Sequence, residues 1–307
     1  MPFLRPKKKF RGVHMSSVSD PNKYYVPEGS WWPLISTIAL FVIFLGAALT
    51  FNFGPSGSPI LILGFILLLI VFIGWFGVVI KESENGMYNS QVDVSFRMGM
   101  SWFIFSEVMF FAAFFGALYY ARIYSVPWIG GEGSGEATKE FLWPDFQASW
   151  PLLAPPSDYG FTQFKETIGA WGVPFWNTMI LLTSGGTVTW AHWGLIKEDR
   201  KQLIIGLTLT VLLGIIFVIL QAEEYMHAYG DLGLTLNSGI YGATFFMLTG
   251  FHGFHVSMGT LMLAVILFRA IKGHFTPRNH FAFEAVAWYW HFVDVVWIGL
   301  FIFVYWV

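Results

Sequence analysis

The chain's final stretch, residues 284–307, is apolar enough to span a bilayer, yet carries His291 and Asp294 within Trp288-Tyr289-Trp290-His291-Phe292-Val293-Asp294-Val295-Val296-Trp297. An ionisable side chain in hydrocarbon is costly, so it faces protein or water and usually has a function. The spacing of three puts both residues on one helix face. Any fold for this chain must bury several such groups inside a membrane.

Composition supports a membrane chain. Charged residues make up 12% and apolar residues 55% of the 307 residues, against roughly a quarter charged in soluble domains. Aromatics reach 20%, with 33 Phe and 15 Trp. The net charge of -2 and the lack of a basic, aromatic-studded stripe give no support for nucleic-acid binding. The absence of cysteine excludes disulfides, thiolate-held clusters and thiolate copper centres, but not haem or copper held by histidine.

About 20 apolar residues are needed per span, and seven spans fit: 32–53, 59–80, 97–124, 173–195, 203–225, 240–268 and 284–307. The expected fold is all-α, a polytopic membrane protein of seven transmembrane helices. Its expected units are an inner-side N-terminal segment (1–31), a two-helix unit (32–80), an inner loop (81–96) and a five-helix bundle (97–307) with an outer-side loop (125–172). Gly54 and Pro55 mark a tight turn. No cleavable signal peptide is expected, because the basic run Arg5–Arg11 is not followed by an apolar core until Trp31.

Fourteen of the 17 basic residues, including Arg5, Lys7, Lys8, Lys9, Arg11 and Lys23, fall on one side of this arrangement. The positive-inside rule then places the N-terminus inside and the C-terminus outside. The acidic segment 125–172 carries Glu132, Glu136, Glu140, Asp145, Asp158 and Glu166. It reads as a solvated irregular loop rather than a docking surface. Small residues one turn apart, Gly206, Thr210 and Gly214 and also Thr183, Thr187 and Ala191, read as helix-packing faces.

Glu107 is the sharpest candidate for chemistry. It lies near mid-depth, and its helical neighbours Phe103, Ile104, Phe110 and Phe111 offer it no partner. It reads equally as a proton-linked or reactive buried carboxyl and as a carboxyl that locks helices together. On depth alone, His255 is its candidate partner. His252 and His255, with His291 and Asp294, form an intramembrane polar group that could instead surround a haem or metal. Packing histidines are the commoner outcome. His192 reads as an interfacial histidine in an aromatic belt. Glu223 and Glu224 fall at the outer end of a span, where solvation is possible. Glu284 opens the last helix, where an acid is favourable. Lys81 and Arg269 flank spans on the inner side and could hold an anionic lipid headgroup.

These residues lie in blocks that resemble subunit III of the cytochrome c oxidases, in the haem–copper oxidase superfamily. The blocks run from Trp31-Trp32-Pro33-Leu34 to the end. They include Arg97-Met98-Gly99-Met100, Phe103-Ile104-Phe105-Ser106-Glu107-Val108-Met109-Phe110-Phe111, Val173-Pro174-Phe175-Trp176-Asn177-Thr178 and Thr189-Trp190-Ala191-His192. Glu198-Asp199-Arg200-Lys201, Leu220-Gln221-Ala222-Glu223-Glu224-Tyr225, Gly239-Ile240-Tyr241-Gly242, His274-Phe275-Thr276 and residues 280–296 follow.

The resemblance implies an accessory subunit with no redox centre and no metal of its own; haem and copper belong to subunits I and II, and cytochrome c is the substrate of the complex. It implies that the first two helices splay from the other five to form a lipid-filled cleft. Glu107 would be the carbodiimide-reactive carboxyl. Lys81, Glu82 and Arg269 would hold phospholipid headgroups. The implied tasks are support of proton uptake and protection of the active site during turnover. The chain departs from the pattern where Met87-Tyr88 replaces histidines and where Trp75-Phe76-Gly77-Val78 lacks a charged pair. The long segment 125–172 leans towards a bacterial plasma membrane over a mitochondrial inner membrane. A haem-bearing oxidoreductase using His252, His255 and His291, a transporter using Glu107 and Asp294, and subunit III of a quinol oxidase or nitric oxide reductase stand as alternatives.

Overall fold

The computed structural model describes residues 29–157 and 160–306. The basic run from Arg5 to Lys23, Asp158 and Val307 lie outside them. Among the described residues the fold is helical, with no strand. Its helices are α1 (Trp32–Phe53), α2 (Ser58–Glu84), α3 (Ser90–Tyr120), α4 (Val126–Ile129), α5 (Glu136–Leu142), α6 (Val173–Ile196), α7 (Arg200–His227), α8 (Gly239–Lys272) and α9 (Phe281–Leu300). Five helical stretches are long and apolar enough to cross a membrane: Trp32–Glu84, Ser90–Leu142, Arg200–Leu232, Gly239–Lys272 and Phe281–Trp306. The first holds both α1 and α2, separated by a 3-10 turn at Gly54–Gly57.

The helices outrun the apolar segments that announce them. α2 continues to Glu84, so Lys81 and Glu82 lie in its last turns, and α3 already begins at Ser90. Within the expected inner loop 81–96 only residues 85–89 are non-helical. A helix satisfies its own backbone, so polar residues at a membrane edge do not end it. The break opens at Asn85 and the glycine at 86, with φ 67°.

The described residues form two compact units, one ending at Phe96 and one beginning at Arg97. In the first unit α1 and α2 form an antiparallel pair. Gly54 makes the reversal with φ 70°, a left-handed conformation that costs glycine little. The pair packs backbone to backbone: a Cβ at Gly46 would meet the Leu61 backbone. Without a hydrophobic drive between helices in lipid, such close approach is what holds them.

In the second unit α6, α7, α8 and α9 pack in a ring, each against the next and α6 against α9. The α6–α7 seam uses the expected small residues: Thr187 and Thr210 share a 2.7 Å hydrogen bond, and a Cβ at Gly206 would meet Ala191. Thr183 does not belong to this seam; it is exposed. Tryptophans fasten α9 to α6: Trp290 Nε1 donates to Ser184 Oγ and Trp297 Nε1 to Thr178 Oγ1, both at 2.9 Å. The core centres on Trp290, Trp297, Phe217, Phe245 and Phe283. Outward faces carry many exposed apolar side chains, Phe44, Ile73, Trp102 and Phe268 among them, as expected where the solvent is lipid.

Segment 125–172 is more ordered than a solvated loop. It contains α4 and α5, and Val126, Phe146 and Leu152 are buried together with Trp143 and Trp150 beside them. Phe164 stacks on Tyr241 of α8.

Candidate functional site

Glu107 occupies the middle of α3 and His255 the middle of α8. Glu107 Oε2 lies 2.9 Å from His255 Nε2. His255 Nδ1 lies 2.6 Å from the carbonyl of Phe251. A carbonyl only accepts, so Nδ1 carries a proton. One further proton then lies between Nε2 and the carboxyl. Whichever atom holds it, the pair as a whole is neutral. Aromatic rings enclose it: Phe110, Phe111, Phe254, Tyr289 and Phe292 surround the imidazole, with Tyr289 stacked at 6.3 Å. Side-chain exposure is 10% for His255 and 22% for Glu107, which sets the pair partly out of any aqueous phase. A net-neutral pair is how two ionisable groups persist at low dielectric.

The other polar residues expected in the membrane have separate partners. His252 is fully buried, donates from Nε2 to the Val293 carbonyl at 3.2 Å, and packs against Phe217 and Trp297. His291 Nε2 lies 3.2 Å from Thr189 Oγ1, and its Nδ1 lies 3.7 Å from Asp294 Oδ2. Asp294 is buried, with Oδ1 lacking a hydrogen bond. A Cβ at Gly185 would sit 2.5 Å from Asp294 Oδ2, so glycine makes room for the acid. Both nitrogens of His255 are engaged, and axial ligation of a haem iron would have to break one of those bonds.

Lys81 and Glu82 belong to the first unit. Lys81 is exposed, and Glu82 Oε2 accepts from Tyr88 Oη at 2.7 Å. Tyr88, one of the two departures from the family pattern, thus holds the acid next to Lys81. Arg269 belongs to the second unit. It is buried, with its guanidinium 4.7 Å from the centroid of Phe275.

Two groups escape sequence reasoning. Glu224, expected in reach of solvent, is only 3% exposed. Its Oε1 accepts from Tyr305 Oη at 2.6 Å and from Gln221 Nε2 at 3.3 Å. Glu223 beside it is exposed. No periodicity could reveal this, because Tyr305 comes from a distant part of the chain. The second group lies at the start of α9, where Glu284 forms an ion pair with Arg97 of α3 and faces His192 and His280. Its readable signal is the His280–Glu284 spacing of four, which places both on one face.

Comparison with known proteins agrees with these motifs. The family model described as cytochrome c oxidase subunit III matches residues 22–135 and 142–307. Proteins named cytochrome c oxidase subunit 3 from Gadus morhua and Oncorhynchus mykiss are each 42% identical over 284 residues, covering 92% of this chain and 96% of theirs. The protein of that name from Tetraodon nigroviridis is 41% identical over the same length. With a family model matching almost throughout, and relatives this similar across nine-tenths of its length, this membrane chain belongs to the cytochrome c oxidase subunit III family.

Proposed function

We propose that this chain is the accessory third subunit of a proton-pumping cytochrome c oxidase of aerobic respiration, in which subunits I and II carry the haem and copper. It binds phospholipid, supports proton uptake and protects the oxygen-reducing site from inactivation during turnover. The observation that carries the reading is the Glu107–His255 pair: a part-buried, net-neutral unit that holds one proton between two helices. Such a unit can persist in lipid without an unpaired charge. No electron-transfer role follows from it.

The reading includes seven spans, with α1 and α2 set apart from the other helices around a lipid-filled cleft. Lys81, Glu82 and Arg269 hold lipid headgroups on the inner side. The excess of basic residues on one side supports a cytoplasmic N-terminus and a periplasmic C-terminus. The length of segment 125–172 supports a bacterial plasma membrane, while the relatives named above come from fish. Within the membrane the polar set His252, His255, His291 and Asp294 serves structure and proton balance.

The test is Glu107→Ala in the assembled oxidase. The haem spectrum should be unchanged, while the carboxyl-specific label of a hydrophobic carbodiimide disappears from this chain. A lost or shifted haem band would contradict an accessory role.

A further inference from the structure

Outside the Glu107–His255 pair, one cluster has an arrangement that packing alone does not explain. His192 lies near the end of α6, His280 immediately before α9, and Glu284 in the first turn of α9. One donor atom from each lies within 4.8 Å of the other two. His280 Nε2 is 3.3 Å from Glu284 Oε1, and His192 Nε2 is 3.8 Å from the same oxygen.

Proximity here does not produce hydrogen bonds. The Nε2 atoms of both His192 and His280 are buried and have no hydrogen-bond partner. His280 is 8% exposed. Its other nitrogen, Nδ1, lies 3.1 Å from the Thr276 carbonyl and must donate to it. In the neutral ring that leaves a lone pair on Nε2, 3.3 Å from a carboxylate oxygen but not aimed straight at it, as expected if both atoms face a common point between them. Two acceptors facing each other repel unless a cation lies between them. A backbone carbonyl that fixes one imidazole nitrogen, and so aims the other, is the usual support for a metal-bound histidine. Arg97 engages the opposite carboxylate oxygen, Oε2, and leaves Oε1 directed at the histidines.

We propose that His192 Nε2, His280 Nε2 and Glu284 Oε1 form a binding site for a divalent transition-metal ion of the zinc class. Two imidazoles and a carboxylate are a donor set that zinc accepts, with a fourth position left for water. Tetrahedral zinc bonds of about 2.0–2.1 Å place its ligands roughly 3.3 Å apart; the separations from Glu284 are 3.3 and 3.8 Å, and all three donors lie within 4.8 Å, so binding draws the two imidazoles together. The ion would join the end of α6 to the start of α9, the end of the ring where the tryptophan hydrogen bonds do not reach.

The test uses the full-length chain purified in mild detergent, loaded with zinc and freed of excess by gel filtration. One zinc ion per chain is expected at micromolar free metal. His192→Gln, His280→Gln and Glu284→Gln should each weaken binding by at least about ten-fold. Cobalt in place of zinc should give the intense visible bands of a tetrahedral nitrogen–oxygen site, lost in the same variants. If a variant loses helicity, X-ray absorption at the zinc edge of the wild-type chain decides: scattering from two imidazoles supports the site, and its absence overturns it. A wild-type chain that retains no zinc, or a double variant His192→Gln/His280→Gln that retains it undiminished, also overturns the proposal.

Discussion

His255 Nε2 and Glu107 Oε2 meet at 2.9 Å midway along α8 and α3, while the far nitrogen of the same imidazole is tied to the Phe251 carbonyl. That second bond fixes the proton count of the pair. It also makes His255 a bridge between its own helix backbone and the acid on another helix. Removing either partner leaves the other polar and unsatisfied among phenyl rings, a costlier state than removing both.

A double-mutant cycle should show this. Glu107→Ala and His255→Ala should each lower the thermal midpoint of the complex in detergent. The double variant should lose less than the sum, with a coupling of about 0.5–3 kcal/mol. Additive losses would mean that the two side chains do not interact in the native state.

Labelling provides a second check. A hydrophobic carbodiimide should modify Glu107, and Glu107→Gln should abolish the label. Buried carboxyls also exist at Asp294 and Glu224, so peptide mapping must separate the three. A label on either of the others would move the reactive carboxyl away from α3.

The bond from Tyr305 to Glu224 makes a prediction far from the first pair. Tyr305→Phe keeps the ring packing but removes the hydroxyl that donates to Oε1. Oε1 then keeps only the longer bond from Gln221, and losing the shorter one costs about 1 kcal/mol, read as a lower denaturation midpoint. Glu223→Gln, one residue away but exposed, should change nothing measurable.

Close helix contact can be tested at Gly206. Its added Cβ would lie 2.8 Å from the Ala191 Cβ. Gly206→Val should force α6 and α7 apart and destabilise the chain by about 1–3 kcal/mol. Gly99, with open space around it, should tolerate alanine at little more than the helix-propensity change.

The N-terminal cap of α7 is a local counterpart. Asp199 Oδ1 accepts from the backbone N–H groups of Lys201 and Gln202, both at 3.0 Å. Asp199→Ala should cost about 0.5–2 kcal/mol, visible as earlier exchange of the first α7 amides. Unchanged exchange would show that the helix end is held by other contacts.

Much of this was legible in the sequence because lipid imposes simple rules. Long apolar runs mark helices, but depth alone does not single out the partner of Glu107, since His252, His255, His291 and Asp294 all lie within spans. The small-residue stripe through Gly206 and Thr210 marks a seam for the same reason. Other features depend on which elements meet. Position along a span puts Glu224 within reach of solvent and does not reveal Tyr305, which arrives from the far end of the chain. Thr183 shares a spacing with Thr187 but faces outward, since one turn of helix offers more small positions than one seam uses. α2 runs on past Ile80 and α3 begins before Arg97, because hydropathy reports where lipid begins, whereas backbone hydrogen bonding decides where a helix stops. His192, His280 and Glu284 converge only once α9 has returned beside α6.

The central claim is that this chain sustains a catalytic centre housed in other subunits. Its most direct test is the time course of oxygen consumption by the purified oxidase, with and without this chain, under continuous turnover. The account predicts that the depleted complex starts near the full rate and then loses activity early. Absence of activity from the first seconds, with the haems of the other subunits intact, would contradict it.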